Sequence, residues 1–365
     1  MHQHPCDKGQ WMAVVRTVRG DIDPADLGPT SMHEHILSTF EVWFEDAASS
    51  PSVPGPVDPE ARVEMPLLGL LRRNPFLLRD NLRLDDTELA IAEVQAFKDA
   101  GGGCLVDVSS IGIRTDLAGI AQVAERTGLH IVQGTGFYLE GALPPSAAGL
   151  SADELTAVMI TEITDGIGDS GMRAGIIGEI GTMSVTPAEE RVLRASAQAQ
   201  LATGAAISLH THPNFRHGEQ IVGILTGEGV PVDRIIVGHM DENLVGFGPG
   251  LAHMDYHRRL ADLGVWLQYD TFGAECYYDS TGLREPLDAE RASAVAVMAA
   301  RGHLGQLLLG MYVWLKQSLK RYGGLGYDHL LTAVPVMLRQ AGLSDADIQT
   351  MLVDNPRQAL PLAAS

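Results

Sequence analysis

Cysteine, basic residues and long apolar runs are all scarce in this sequence. Only Cys6, Cys104 and Cys276 occur among 365 residues, too few and too odd a number for a disulfide framework. Lysine and arginine total 26 against 46 aspartates and glutamates, a net charge of −20. That balance excludes the clustered positive face that grips nucleic acid or an anionic membrane, so neither is expected as a partner. No apolar run is long enough to span a bilayer, and residues 1–21 lack the apolar segment of a secretory signal. The expectation is a soluble, cytoplasmic protein. Internal repeats and low-complexity tails are also missing. What is present is 45% hydrophobic residues, ample for a buried core.

Short apolar runs alternate with helix-like stretches. The strand-like runs are 30–35, 104–108, 130–134, 174–179, 206–210, 234–239, 265–270 and 306–310. Most are nearly continuous, as in Ile235-Ile236-Val237-Gly238, which suits strands buried on both faces of a parallel sheet. Helices are expected over 86–100, 116–126, 151–165, 187–202, 220–228, 288–301 and 327–340. Ser151-Ala152-Asp153-Glu154 reads as a capping box, and Thr186-Pro187 as an N-cap followed by a first-turn proline. Eight such alternations predict an α/β fold, a (β/α)₈ TIM barrel, with a doubly wound open sheet as the rival. The organisation expected is one domain over 1–365. It has an N-terminal extension at 1–25 and a long loop at 41–81 that covers the barrel mouth.

His33-Glu34-His35 ends the first run, and residues two apart on a strand share a face. Glu179, His210 and His239 end the fourth, fifth and sixth runs. Catalytic groups in a barrel come from the C-terminal ends of several strands, so this pattern favours the barrel. It also reads as a metal centre. His33 and His35 would hold one ion, His210 and His239 another, with Glu179 as the shared bridge and a hydroxide between the ions as nucleophile. Divalent metal is the expected cofactor, zinc foremost, one or two per chain. Most other histidines have plainer readings. His130 begins its strand and so lies at the wrong end of a barrel, and His2, His4, His253 and His303 sit in terminal or helical surface contexts. His212 stands between a substrate contact and a solvated loop residue.

At these motifs the chain resembles the phosphotriesterase family of the amidohydrolase superfamily. Val15-Arg16-Thr17-Val18-Arg19-Gly20 followed by Met32-His33-Glu34-His35 resembles its opening signature. Arg173-Ala174-Gly175-Ile176-Ile177-Gly178-Glu179-Ile180-Gly181 resembles its bridging strand, with glutamate as in the phosphotriesterase-homology and lactonase-like branch. His210-Thr211-His212 and Gly238-His239-Met240-Asp241 resemble its second-metal strands. The likeness runs over residues 15–359. It implies a metal-dependent hydrolase of an ester, lactone or amide.

One position departs from the pattern. The family's eighth strand ends in an aspartate that binds the first metal and takes a proton from water, and here Tyr312 stands in its place. A phenol with a pKa of about 10 is a poor substitute, and losing a positioned base costs about 10²–10⁴ in rate. Tyr312 as a phenolate ligand is one resolution, with Asp241, Asp270 or His212 moving protons. The others are a non-hydrolytic lyase, isomerase or cyclase on this scaffold, and a catalytically silent ligand-binding homologue. Trp43, Phe137, Tyr138, Phe272 and Tyr277, with Phe44 beside them, follow strands and are expected to wall an apolar substrate pocket. Arg114 and Arg216 are read as solvated loop arginines before substrate contacts. The 270–279 loop has no lysine, which disfavours a phosphorylated substrate. Barrels of this kind often form dimers, so a homodimer stands as an expectation.

Overall fold

Eight short strands run parallel and pair in chain order. They are β1 (Thr30–Glu34), β2 (Cys104–Asp107), β3 (His130–Thr135), β4 (Ile176–Thr182), β5 (Ile207–Thr211), β6 (Ile235–Val237), β7 (Trp266–Tyr269) and β8 (Leu307–Leu309). The computed structural model describes residues 13–53, 55–212, 215–244 and 254–362. His2, His4, Cys6 and His253 lie outside the described residues. The barrel closes between its first and last strands. The Tyr312 N–H donates to the His33 carbonyl (3.0 Å) and the His35 N–H to the Val313 carbonyl (3.3 Å). The buried Glu34 carboxylate accepts from the N–H groups of Met311 (3.1 Å) and Val313 (3.0 Å), and from Ser31 Oγ. Glu34 thus seals the seam from between the two histidines.

Helices α1 (Thr87–Asp99), α2 (Leu117–Thr127), α3 (Ala152–Thr164), α4 (Pro187–Thr203), α5 (Gly218–Gly227), α6 (Met254–Asp262), α7 (Asp288–Met298) and α8 (Val334–Gln340) follow the strands one for one. The (β/α)₈ barrel is therefore the fold, and the open sheet is set aside. Asp86 and Asp116 cap α1 and α2, and Ser151 and Thr186 open α3 and α4 with complete capping boxes. Period-two alternation divides the core. Val106, Ile176, Ala206, Trp266 and Leu308 fill the barrel, while Leu105, Ile177, Ile207, Leu267 and Leu309 pack outward against the helices.

The segment expected as an extension contains a hairpin, Val15–Thr17 with Gly20–Ile22, and its Val18 N–H donates to Ile131 O at the start of β3. From the long loop after β1, Trp43, Glu45 and Phe76 come beside His210 at the carboxyl end of β5. A short ladder of Ser38–Thr39 with Arg83–Leu84 closes the base of that loop. Lys316, beyond β8, ties it down through Asp80 (2.7 Å).

Candidate metal centre and substrate cavity

Because side chains two apart share a face, β1 sends His33 and His35 inward, β5 sends His210, and the end of β7 sends Asp270. Glu179 from β4 sits among the imidazoles, fully buried. Its Oε1 lies 3.2 Å from His35 Nε2, and its Oε2 lies 3.1 Å from His210 Nδ1 and 3.5 Å from both His33 Nε2 and His239 Nε2. His33, Glu179 and His239 offer ligand atoms that all lie within 4.8 Å of one another. His35 and His210 flank this compact set, each beside Glu179. His239 Nε2 also lies 2.8 Å from His210 Nδ1.

The donor set fits a divalent ion. His33 Nε2, His35 Nε2 and Glu179 Oε1 are buried without a hydrogen-bond partner among the described residues, a costly arrangement that a cation at their meeting point relieves. The outer nitrogens are engaged. Asp270 takes His239 Nδ1 on one oxygen (3.0 Å) and His33 Nδ1 on the other (2.9 Å). Ser109 Oγ lies 2.9 Å from His35 Nδ1. Such partners turn each Nε2 toward the centre.

The electrostatics follow. Burial alone would raise Glu179, but the His33 charge and the close imidazoles of His210 and His239 hold it well below the usual carboxylate range. His33 reaches about 8, burial being outweighed by the Asp270 and Glu179 charges, and His239 is raised for a like reason. Burial lowers His35, and burial with the His239 charge lowers His210.

Tyr312 enters from beyond β8 with φ +49°. Its ring lies 4.5 Å from that of His239 and 4.9 Å from that of His33, and it stacks on Trp314 at 5.3 Å. Burial, with the Tyr138 and Glu179 charges beside it, pushes its hydroxyl well above the usual phenol range.

Above His210 opens a cavity of about 140 Å³, lined by Trp43, Phe76, Tyr278, Tyr312 and Trp314, by His212, and by Glu45, Glu242 and Glu285. Of the residues expected on its wall, Trp43 is there, and its Nε1–H donates to Tyr138 Oη (3.1 Å). Tyr138 packs edge-on to His210 at 5.4 Å. Phe137 and Phe272 belong instead to the core between strands and helices, because their side chains fall on the outward face. Tyr277 is 58% exposed. It shares a hairpin with Tyr278 (Tyr277–Tyr278 with Leu283–Arg284), and alternation turns Tyr278 inward in its place. Phe44 lies under the Arg79 guanidinium (3.9 Å).

The proton-carrying candidates divide. Asp241 accepts on Oδ2 from Thr271 N and Oγ1 (2.9 Å each) and faces Arg291 at 3.2 Å, while its buried Oδ1 has no hydrogen-bond partner among the described residues. Asp270 is taken up by two imidazoles. His212 faces the cavity, and burial with the His210 charge lowers it to about 4. Arg114 pairs with Glu162 (2.9 Å), away from the cavity. Glu242, Glu285, Phe76 and Trp314 escaped the sequence reading. They lie in loops without periodicity, and only the place of Glu242 next to Asp241 marked it.

A closed eight-stranded parallel barrel with four histidines around one carboxylate at its carboxyl ends defines an α/β-barrel enzyme with a candidate divalent-metal centre. A model of the phosphotriesterase family matches residues 13–360, and the chain belongs to that family. It is 33% identical over 355 residues to an N-acetyltaurine hydrolase of Tetraodon nigroviridis, covering 95% of this chain and 97% of the relative. Among solved structures it is similar to a resiniferatoxin-binding protein from Rhodobacter sphaeroides, with a TM-score of 0.90, 33% identity and 97% of each chain covered. It is also similar to the phosphotriesterase homology protein from Escherichia coli, which was solved with phosphate in its active site. There the TM-score is 0.73 at 30% identity, over 92% of this chain and 99% of that one. These likenesses support a hydrolase of the phosphotriesterase type acting on a small molecule, and do not favour the non-hydrolytic or silent alternatives. Among the described residues, no helix is long and apolar enough to cross a membrane.

Proposed function

We propose that the chain hydrolyses an amide, ester or lactone at a centre of one or two divalent ions held by His33, His35, Glu179, His210 and His239. The observation that carries this reading is the set of buried ligand atoms without hydrogen bonds that converge around Glu179. Imidazoles with one carboxylate suit zinc, which is the ion we expect. When bound, such an ion polarises a carbonyl and acidifies water.

The chain's own residues do the rest. Asp270 and Ser109 fix the imidazole orientations. Trp43, Phe76 and Trp314 exclude bulk water from the cavity. Tyr312, a neutral phenol, donates to a substrate oxygen and does not act as the base. With Asp241 and Asp270 engaged, the His212 imidazole moves the proton toward the leaving group. Tyr138 and Trp43 hold the wall against which the substrate rests. The amide substrate named for the N-acetyltaurine hydrolases puts N-acyl amines first among the substrate classes. The acidic composition fits a cytoplasmic enzyme, and a homodimer remains our expectation for its assembly.

The test is metal content per chain, together with turnover of an amide, ester and lactone panel in isotope-labelled water. Solvent oxygen should enter the product acid, and activity should vanish on chelation and return with zinc. His212→Asn should lower kcat/KM by ~10²–10⁴ at unchanged metal content. A protein that binds no metal, or whose turnover ignores a chelator, sinks the proposal.

A further inference from the structure

We infer that the substrate carries a positive charge on the part that leaves the acyl carbon, as in an N-acylated diamine or an aminoalkyl ester, and not the negative charge of a taurine conjugate. The hydrolase reading above supplies what is done to this substrate, whereas the charge preference rests on the cavity alone.

Three carboxylates reach the cavity, Glu45 from the loop after β1, Glu242 from the loop after β6 and Glu285 from the loop after β7, and among the described residues no lysine or arginine lines it. Their compensation is incomplete. Glu45 is met only by neutral donors, Asn74 Nδ2 (2.8 Å) and Ser280 Oγ (3.1 Å), with Ser49 Oγ farther off at 3.4 Å. Glu285 takes the Tyr278 hydroxyl (2.6 Å) and the Arg291 guanidinium (3.1 Å). Arg291, fully buried, also serves Asp241 (3.2 Å) and Asp288 (2.9 Å), so one cation faces three carboxylates. Glu242 has no hydrogen-bond or ion-pair partner among the described residues. Burial and the neighbouring Glu285 charge push its carboxyl well up, and a cation bound beside it would favour its charged form.

The remaining wall is aromatic. Trp43, Phe76, Tyr278 and Trp314 stack around the same space, Phe76 lying 5.3 Å from Tyr278 and 5.9 Å from Trp314. Ring faces beside carboxylates attract an ammonium group and give an anion nothing. The cavity has the volume of roughly five waters, enough for a short alkylammonium arm. A divalent ion would add positive charge at the floor, beneath His210, where an acyl oxygen belongs. An electrophilic floor under an anionic aromatic wall orients an acyl cation and repels a sulfonate, since like charges brought together oppose binding.

The experiment uses the zinc-loaded full chain and three acetamides of similar length: N-acetylputrescine (cationic), N-butylacetamide (neutral) and N-acetyltaurine (anionic). We expect kcat/KM for the cation to exceed that for the sulfonate by at least ~100-fold. Calorimetry with butylammonium and butanesulfonate reads the same preference without turnover, and only the ammonium should bind. Glu242→Gln should narrow both preferences about tenfold, with Glu45→Gln as the second variant if the first does not fold by circular dichroism. Best turnover of N-acetyltaurine, equal binding of the two ions, binding of neither, or preferences unmoved by both variants overturns the inference. Preferential ammonium binding with no turnover of any amide, ester or lactone overturns the hydrolase reading and leaves the charge preference standing.

Discussion

Tyr312 stands where the family pattern expects an aspartate, beside the rings of His33 and His239. The phenol of Tyr312 is desolvated, stacked on Trp314 and pressed against His33 and His239, so it fills the place of a carboxylate without its charge. We predict that Tyr312→Asp raises the number or affinity of bound ions, measured by chelator competition. The same change should lower the melting temperature, since truncating a buried aromatic costs about 3 kcal/mol. The cluster of histidines around Glu179 was legible because each member ends an apolar run, where period two and the barrel's polarity leave one place for a polar side chain. The cavity wall was legible only in part. Trp43 could be read from its loop, but Phe137 and Phe272 were assigned by nearness to a strand end, and alternation put their side chains in the core. The Tyr277–Tyr278 pair shows the same limit, because a hairpin exposes one ring and buries its neighbour.

Among the elements, the long loop after β1 is tied on two sides: Asp279, in the loop after β7, takes Ser50 Oγ (2.7 Å), and Gln317 N–H, after β8, donates to Asn81 (2.9 Å). The Asp80–Lys316 pair (2.7 Å) joins it to the segment after β8, with Asp85 assisting at 3.2 Å. Burial would raise Asp80, but the Lys316 hydrogen bond and the Val63 N–H lower it below its ordinary 3.8. A lowered carboxyl stabilises the fold above its unfolded value and loses that effect as pH falls through its folded value. Lys316→Met should therefore cost about 1–2 kcal/mol in urea unfolding at pH 7, and the difference should shrink below about pH 3.8. Helix starts were read well from Asp86, Asp116, Ser151 and Thr186, because caps are local chemistry. The last helix was not: the stretch expected as one helix over 327–340 divides into His329–Thr332 and Val334–Gln340. Pro335 supplies no N–H and crowds the preceding turn.

Across the whole molecule, four imidazoles and a carboxylate are buried together, and among the described residues His33 Nε2, His35 Nε2 and Glu179 Oε1 lack a hydrogen-bond partner. Ion binding to the folded chain alone adds stability by mass action. We predict a single cooperative thermal transition, as for one domain, that moves down by several degrees on chelation and returns with zinc, read by calorimetry. Two separated transitions would contradict the one-domain organisation. The barrel itself was legible because its eight apolar runs alternate with helix-like stretches. The charge of its cavity was not, since Glu45, Glu242 and Glu285 come from three loops that only the closed fold brings together. That closure bears on how the protein is made. The carbonyl of His33 and the N–H of His35 are tied to Tyr312 and Val313, and Glu34 grips the same turn. A nascent chain therefore carries its two leading histidines unset through most of translation. Its metal centre should mature only after the eighth strand has left the ribosome, as a late event of biosynthesis.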